Sequence, residues 1–499
     1  MQLLDLITIF IFALGIVIMG LSFSGKGRNM KSFFAAGGAV PWAMSGLSLF
    51  MGFFSAGTFV VWGSIAYSLG WIAISIQWTM AIAGFVVGFF IAPRWHKTSA
   101  LTVAEYITRR LGVNTQKTYT YLFLFISLFT TGSFLYPVAK IVEVSTGMPL
   151  DLCILLLGGF CIVYVAAGGL WAVVSTDVLQ FIILTAAVLI VVPLSFGRVG
   201  GVVNFIESIP ATYFNLVNGE YTIGFIIAFG VYNAIFLGGN WAYVQRYASV
   251  NSQSSARKVG FLFGGLYVVS AVLWMLPPMI YRIVNPSLST IDAEGAYLMM
   301  CKEVLPAGLL GLMLSGMVFA TASSLNATLN ISSGVVTNDI FKRLFPQSSD
   351  KTLMRVARIS TIIFGLLAII VALLIPLMGG IVNVVISVAA LTGVPLYLPI
   401  IWTLFSKRQT EYSVITTTLV SLGANAFFKF ITPLWGFGFN RAEEMIVGVA
   451  FPVFCLIAFE LYYKLNHKIS HRYVEYQEWE KENNCIKETE RTVSYTHLR

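Results

Sequence analysis

Charged residues are scarce in this sequence. Lys, Arg, Asp and Glu together make up 11% of the 499 residues, whereas hydrophobic residues make up 57%. A soluble domain carries about 25% charged residues. The composition therefore excludes an ordinary soluble protein built around one buried core.

Histidine and cysteine are also few, and neither shows the spacing of a reactive site. The histidines fall in predicted loops or in the C-terminal tail, and no Ser/His/Asp or metal-ligand constellation supports an enzyme. The cysteines show no paired spacing, so we expect neither a disulfide framework nor a metal site. The cysteines are Cys153, Cys161, Cys301, Cys455 and Cys485.

What the sequence does have is a succession of long apolar runs. Each run is near the roughly 20 residues that an α-helix needs to cross a bilayer. The pattern predicts an all-α polytopic membrane protein with about thirteen transmembrane helices. The predicted spans are 3–22, 40–68, 71–93, 118–144, 149–167, 175–197, 222–246, 257–283, 304–336, 356–378, 381–405, 411–431 and 445–464.

The net charge of +9 comes from basic residues that collect in alternate loops. The loop after the third span holds five of them, whereas the long stretch at 194–221 holds one Arg and two Glu. Because positive loops stay in the cytoplasm, we expect the N-terminus outside and the C-terminus inside the cytoplasmic membrane. Residues 1–465 would form the transporter domain, and residues 466–499 a poorly ordered cytoplasmic tail.

Two of the apolar runs contain glycines that would interrupt a helix. One is "FMGFFSAGTFVVWG" in the second span, and the other is "NAIFLGGNWAYVQRY" in the seventh. Close helix packing is one explanation for glycine in a membrane protein. The two runs are five spans apart, however, and inverted-repeat transporters carry a discontinuous helix at the same position in each half. The glycines are Gly52, Gly57 and Gly63, and then Gly238 and Gly239, which precede Asn240.

Hydroxyl and amide side chains crowd the ninth span, in the stretch "FATASSLNATLNISSG". On a helix, Ala320, Ser323, Ser324 and Ala327 share one face. Such hydroxyls can simply bond to their own helix or join neighbouring helices. Alternatively, they form an ion site with oxygen ligands. No carboxylate lies in the cluster, so the sequence favours sodium over a proton there.

Four stretches of the chain resemble the sodium:solute symporter family. They are "SFFAAGGAVPWAMSGLSLF", "GGLWAVVSTDVLQ", "VQRY" and "ASSLNATLNISSGVVTNDI", in the order and spacing of the family. The resemblance covers roughly residues 1–465. It implies a LeuT-type five-plus-five inverted repeat over about 40–405, with one preceding and two following helices, and sodium as the coupling ion.

The resemblance also assigns a sodium site by position. Backbone carbonyls would come from Met51, Phe54 and Ala320, and hydroxyls from Ser323 and Ser324. These residues join the break in the second span to the serine-rich ninth span, and sodium is the only metal expected.

Some family members bind a second ion through the Asp that matches Asp177. Here Asn326 and Ala327 stand where two serines would be expected, and Ala327 has no side-chain oxygen. We therefore expect one sodium per cycle, with Asp177 as a relay, a second ion ligand, or a cap at the start of the sixth span.

The solute site is expected between the two broken helices. Ser133 matches the position of the arginine that binds the carboxylate in sialic acid transporters, which argues against an anionic sugar. Lys140 is the nearest other cation, or it snorkels to the interface. The candidate solute residues are Ser55, Thr58, Gln77, Asn233 and Asn240, with Phe236 as a gate.

All five candidates are neutral hydrogen-bonding groups, so the expected solute is a neutral sugar or polyol, imported by alternating access. Amino acids, vitamins and small anions remain alternatives within the family. A solute sensor of the same fold is an alternative outside it, and so is a channel. Sodium, the solute and the lipid bilayer are the expected partners, and nucleic acid is not.

Overall fold

A computed structural model describes residues 2–24, 40–100, 102–164 and 170–480 of the chain. Every regular element within these ranges is helical, and none of the described residues belongs to a β-strand. The helices are α1 (Leu3–Ser24), α2 (Trp42–Met51), α3 (Thr58–Leu69), α4 (Trp71–Lys97), α5 (Val103–Leu111), α6 (Val113–Thr146), α7 (Leu150–Tyr164), α8 (Leu170–Arg198), α9 (Val202–Ser208), α10 (Ile223–Gly239), α11 (Trp241–Ala248), α12 (Gln253–Val284), α13 (Ala296–Val304), α14 (Leu309–Val335), α15 (Asp350–Leu374), α16 (Ile381–Thr403), α17 (Glu411–Ala426), α18 (Arg441–Leu465) and α19 (residues 471–480).

The described helices support a polytopic membrane protein, although not the full count of spans. By length and composition, eight of them could each cross a membrane, and the bent pair α10 and α11 would add a ninth. The other predicted spans coincide with shorter apolar helices or segments, including Trp42–Met51, Leu150–Gly159 and Leu309–Thr321. The all-α membrane architecture is confirmed, and the number thirteen stays a prediction.

The predicted break in the second span is confirmed. Helix α2 ends at Met51, residues 52–55 form turns and bends, and the chain is helical again from residue 56, leading into α3 at Thr58. The amide of Phe54 still bonds to the carbonyl of Phe50 at 3.0 Å, but this regular pattern stops there. Glycine at Gly52 and Gly57 weakens the helix at both ends of the break.

The predicted break in the seventh span is confirmed as well. Helices α10 and α11 meet at an angle of 60°. Between them Asn240 has extended backbone angles, and its side-chain oxygen accepts a hydrogen bond from the amide of Ala242 at 3.0 Å. Asn240 thus caps the second half-helix. The two breaks lie five predicted spans apart, as an inverted repeat requires.

Glycines also allow a close helix contact between α4 and α12. Gly84 and Gly88 on α4 face Gly260 and Gly264 on α12, four residues apart on each helix. A Cβ atom on Gly84 would lie 2.8 Å from the Cα of Gly264, so no larger residue fits without displacing a helix. Packing of small residues of this kind joins membrane helices through backbone contact.

The expectation of a poorly ordered tail is wrong for its first part. Residues 471–480 form α19, which packs against the short helix α5. The guanidinium of Arg109 lies 3.9 Å from the ring centre of Trp479, and the rings of Tyr106 and Tyr476 are 5.8 Å apart. Burial raises the pKa of Tyr106 to about 12. This contact was not predictable from the sequence, because the polar composition of residues 466–499 is typical of a solvated tail.

Candidate functional site

A central cavity of about 180 Å³ lies between the two broken helices, bounded also by α4, α6 and α16. Aromatic and neutral hydrogen-bonding side chains dominate its wall. Of the described residues that line it, none carries a formal charge. The aromatic lining is Phe53, Trp62, Phe134, Phe229, Tyr232, Phe236, Tyr243, Tyr267 and Tyr397, and the polar lining is Ser55, Thr58, Gln77, Thr130, Ser133, Asn233 and Thr392.

Four of the five solute residues predicted from the sequence line this central cavity: Ser55, Thr58, Gln77 and Asn233. Gln77 and Asn233 are 3% and 2% exposed. The Gln77 side-chain nitrogen is buried without a hydrogen-bond partner among the described residues. Because a buried donor left unpaired is costly, this nitrogen is available for a bound solute.

The fifth candidate, Asn240, lies outside the central cavity. It lines a smaller adjoining cavity of about 80 Å³ and uses its side-chain oxygen to cap α11. Phe236, the predicted gate, lines both cavities together with Tyr243 and Tyr397. The ring of Phe236 lies 5.5 Å from that of Tyr243 and 5.8 Å from that of Tyr397. These three rings form an aromatic partition between the cavities.

Sequence reasoning missed the contribution of α16 to the central cavity. A π-helical turn at Ala389–Gly393 interrupts this helix and brings Thr392 to the cavity wall. Asn425 on α17 donates to the Ala390 and Leu391 carbonyls, at 3.1 and 3.3 Å. π-turns of this kind often occur at functional sites, but no residue pattern in "VAALTGVP" predicts one.

The adjoining cavity differs from the central one because two charged side chains line it. Asp177 is 4% exposed and accepts a hydrogen bond from the Ser48 hydroxyl at 2.6 Å. Arg246 on α11 lines the same cavity and interacts electrostatically with Asp177. The sequence signal for this partner was present, because an arginine within an apolar span indicates a functional position with a paired charge.

The predicted sodium residues lie where the first break meets α14. Met51 and Ser324 both line the adjoining cavity. Among the described residues, no hydrogen bond ends on the carbonyl oxygen of Met51 or of Phe54. Thr321, which the sequence reading overlooked, joins the two elements: its hydroxyl oxygen accepts from the Ala56 amide at 2.8 Å and donates to the Met317 carbonyl at 2.9 Å.

Some hydroxyls of α14 bond to their own helix, which is the first of the two alternatives given for the ninth span. The hydroxyl of Ser315 donates to Gly311 at 2.7 Å, and that of Thr328 donates to Ser324 at 3.1 Å. The Ser324 hydroxyl is held less tightly, because its bond to the Ala320 carbonyl is 3.4 Å long. The side chains of Ser323, Asn326 and Ala327 lie outside the described part of the structure.

The two residues considered for an anionic solute occupy different places. Ser133, which the resemblance matches to the arginine of sialic acid transporters, lines the central cavity. Lys140 is 5% exposed and pairs with Glu143 at 2.9 Å, and it lines neither the central nor the adjoining cavity. No described cation is therefore available to a solute in the central cavity.

Comparison with known proteins identifies the family. The model of the sodium:solute symporter family matches residues 33–420. The chain belongs to this family. Its relatives include the Vibrio parahaemolyticus sodium/glucose cotransporter (28% identical, covering 86% of each chain), the Sus scrofa sodium/myo-inositol cotransporter 2 (27%, covering 84% of this chain and 68% of that one) and the Mus musculus sodium/glucose cotransporter 1 (25%, covering 91% and 76%).

Solved structures agree on the fold. A Na+-coupled sialic acid symporter in a substrate-bound outward-open state matches with a TM-score of 0.76 at 21% identity, over 92% of this chain and 98% of that chain. Inward-facing Mhp1 matches with a TM-score of 0.56 at 15% identity, over 90% and 98%. The fold is of the LeuT type. The chain is a sodium-coupled symporter of the sodium:solute symporter family, and not an enzyme.

Proposed function

We propose that this symporter imports a neutral sugar or polyol together with sodium. The observation that carries the proposal is the chemistry of the central cavity, whose described lining has nine aromatic and seven neutral hydrogen-bonding side chains and no charged side chain. Burying an unpaired charge in such a cavity is costly, so a neutral solute fits it better than an anion or a zwitterion.

The lining also matches both the hydroxyl groups and the apolar ring faces of a sugar. Gln77, Asn233, Ser55 and Thr58 supply neutral donors and acceptors for hydroxyl groups, and the aromatic rings cover the apolar faces. Sodium/glucose and sodium/myo-inositol cotransporters among the relatives support this solute class. An amino acid, a vitamin or a small anion is the second candidate, and it would need charged partners that the described wall lacks.

The proposed sodium site consists of the carbonyls of Met51, Phe54 and Ala320 and the hydroxyls of Ser323 and Ser324. Neutral oxygen ligands are the kind that a hard cation prefers. The free carbonyls at the first break and the long Ser324 bond support this assignment. Asp177, paired with Ser48 and facing Arg246, acts as a relay in the adjoining cavity rather than as a ligand of this site.

Sodium and solute binding are coupled because sodium bridges two elements, the break in the second span and α14. Sodium holds the first break against α14, which orders the wall of the central cavity, so sodium and solute bind with positive coupling. The aromatic partition, with Phe236 as its gate, then closes or opens as access alternates. The driving force is the sodium gradient plus about 2.3 kcal/mol per charge for each 100 mV.

The proposed placement follows the charges of the loops. Residues 1–465 form the transporter domain in the cell membrane, with the N-terminus outside, and residues 466–499 form a cytoplasmic tail that includes α19. Ser287 and Lys468 are both exposed and lie on opposite sides in this arrangement. In intact cells an impermeant maleimide should label a Ser287→Cys variant and not a Lys468→Cys variant, and the reverse pattern would refute the orientation.

Uptake into proteoliposomes tests the function. An inward sodium gradient should drive saturable accumulation of labelled D-glucose or myo-inositol, and a potassium gradient should not. Binding without accumulation would favour the sensor, and flux that neither saturates nor follows sodium would favour a channel. Sodium-driven uptake of an amino acid, a vitamin or an anion in place of both neutral solutes would overturn the solute class.

A further inference from the structure

Thr79 lies behind the wall of the central cavity, between α4 and α10. It is 3% exposed and does not itself line the cavity. Its hydroxyl oxygen lies 2.6 Å from the carbonyl oxygen of Ile76 and 2.8 Å from the side-chain nitrogen of Asn233. Thr79 therefore contacts a residue of the proposed solute site from the side that faces away from the solute.

These two contacts determine the orientation of the Asn233 amide. A threonine hydroxyl has a single hydrogen, and a backbone carbonyl can only accept a hydrogen bond. The hydrogen of Thr79 is used by Ile76, so toward Asn233 the Thr79 oxygen can only accept. The NH2 group of Asn233 must then point to Thr79, and its Oδ1 atom must point the other way.

The central cavity consequently offers one acceptor whose orientation is fixed, together with a buried amide nitrogen that has no partner among the described residues. Asn233 lines the cavity, and no hydrogen bond among the described residues reaches its Oδ1 atom. Gln77 lines the same cavity from α4, and its Nε2 atom is buried without a described partner. Both side chains are more than nine-tenths buried, so each is available to the solute and to little else.

We infer that Thr79 is a positioning residue that makes this transporter select a solute hydroxyl able to donate to Asn233 Oδ1, while another solute oxygen accepts from Gln77 Nε2. The inference rests on the proposed function, because it concerns the recognition of a neutral polyhydroxylated solute. It goes further in stating the polarity of each contact. A solute oxygen that only accepts, as in an ether, does not replace the donating hydroxyl.

Fluorinated analogues test this polarity on the unmodified protein. Fluorine replaces a hydroxyl with little change in size but cannot donate a hydrogen bond. Sodium-dependent binding of D-glucose and myo-inositol is measured first, followed by the monofluoro analogues of whichever binds. One position should lose at least about tenfold in affinity on fluorination, because Asn233 Oδ1 is left unpaired. Equal affinity at every position would overturn the inference.

Two substitutions then test the role of Thr79. Thr79→Val keeps the shape and removes the oxygen, whereas Thr79→Ser keeps the oxygen. Thr79→Val should weaken binding at least about tenfold and lower the discrimination between hydroxyl and fluorine, while Thr79→Ser resembles the parent. Stabilisation by sodium alone, measured in each variant, shows that the fold and the ion site persist.

The outcomes separate this inference from the proposed function. If D-glucose or myo-inositol binds with sodium but Thr79→Val leaves affinity and discrimination unchanged, the role of Thr79 is refuted and the proposed function stands. If no neutral sugar or polyol binds in a wider screen, both are refuted. If Thr79→Val fails to fold, the analogue series on the parent protein still decides the polarity of the contact.

Discussion

Ser324 and Ser315 lie on the same helix, yet their hydroxyls are held differently. Ser324 donates to its own helix over 3.4 Å, and Ser315 does so over 2.7 Å. A hydrogen bond as long as that of Ser324 is weak, so its oxygen can exchange a helix partner for an ion at little cost. The shorter hydrogen bond of Ser315 is stronger, so its oxygen is not readily available to an ion.

Replacing Ser324 by Ala should therefore raise the sodium concentration for half-maximal uptake by at least about tenfold, because one of five proposed ligands is lost. Sodium activation of uptake, measured at saturating solute, checks this. Ser315→Ala is the matched control, since it removes a buried hydroxyl from the same helix and should leave sodium activation unchanged. Equal sodium activation in the two variants would refute the proposed site.

Thr321 offers a second test at the scale of one residue. Thr321→Val keeps the side-chain shape but leaves the buried amide of Ala56 without its acceptor, which should destabilise the protein by about 1–3 kcal/mol. The break would separate from α14, so sodium affinity should fall as well. Thr321→Ser should restore both properties. Chemical denaturation and sodium titration measure them, and a Val variant that matches the parent in both would contradict this role.

Residue types and the family resemblance together predicted much of the site but not the residues that support it. The four neutral solute candidates that line the central cavity were predictable, since the family resemblance places them between the broken helices. Thr79 and Thr321 were not, because a threonine within a helix usually bonds to its own backbone. Both hydroxyls do donate to their own helix. Only the structure shows that Thr79 also accepts from Asn233, and Thr321 from the amide of Ala56.

Among the helices, the two glycines before Asn240 do more than weaken α10. A Cβ atom on Gly239 would lie 2.7 Å from the Cβ atom of Tyr397 on α16, so the helices approach closely at the aromatic partition. The sequence left helix breaking and close packing as alternatives for these glycines, and the structure shows that both apply here. The residue type alone could not distinguish the two roles, because helix breaking and close helix packing both favour glycine, for different reasons.

Gly239→Ala should reduce uptake at least about tenfold, because overpacking at this point displaces α10 from α16. Sodium-driven uptake, normalised to the amount of folded protein, measures the effect. Gly159→Ala is the control, since a Cβ atom there would meet nothing within 4 Å. Full activity of the Gly239 variant would show that the partition tolerates a wider spacing.

The tail helix α19 gives a prediction that does not depend on transport. Trp479→Ala removes the ring beneath the Arg109 guanidinium, an interaction worth about 0.5–1 kcal/mol at an exposed site. Limited proteolysis of the tail should then accelerate about two- to fivefold. Val474→Ala, on the exposed side of the same helix, should leave the rate unchanged. An unchanged rate in both variants would mean that α19 does not depend on α5.

For the molecule as a whole, hydropathy and loop charge were sufficient to predict an oriented polytopic membrane protein, and the spacing of the glycines added the paired broken helices. They were not sufficient for the shape of the cavities, which depends on a π-turn in α16 and on aromatic side chains from several distant helices. Aromatic residues are frequent throughout this chain, so their number does not indicate which of them meet. The division into an uncharged cavity and a charged neighbour is therefore a result of the fold.

The central claim is that sodium and a neutral solute bind together. Its most direct test is the thermal stability of the purified protein, measured with and without sodium across neutral sugars, polyols, amino acids and anions. A ligand that binds only the folded state raises the melting temperature by mass action. Sodium alone should stabilise the protein, potassium should not, and a neutral sugar or polyol should add to the shift only when sodium is present. Stabilisation by an anionic or zwitterionic solute instead, or no response to sodium, would contradict the account.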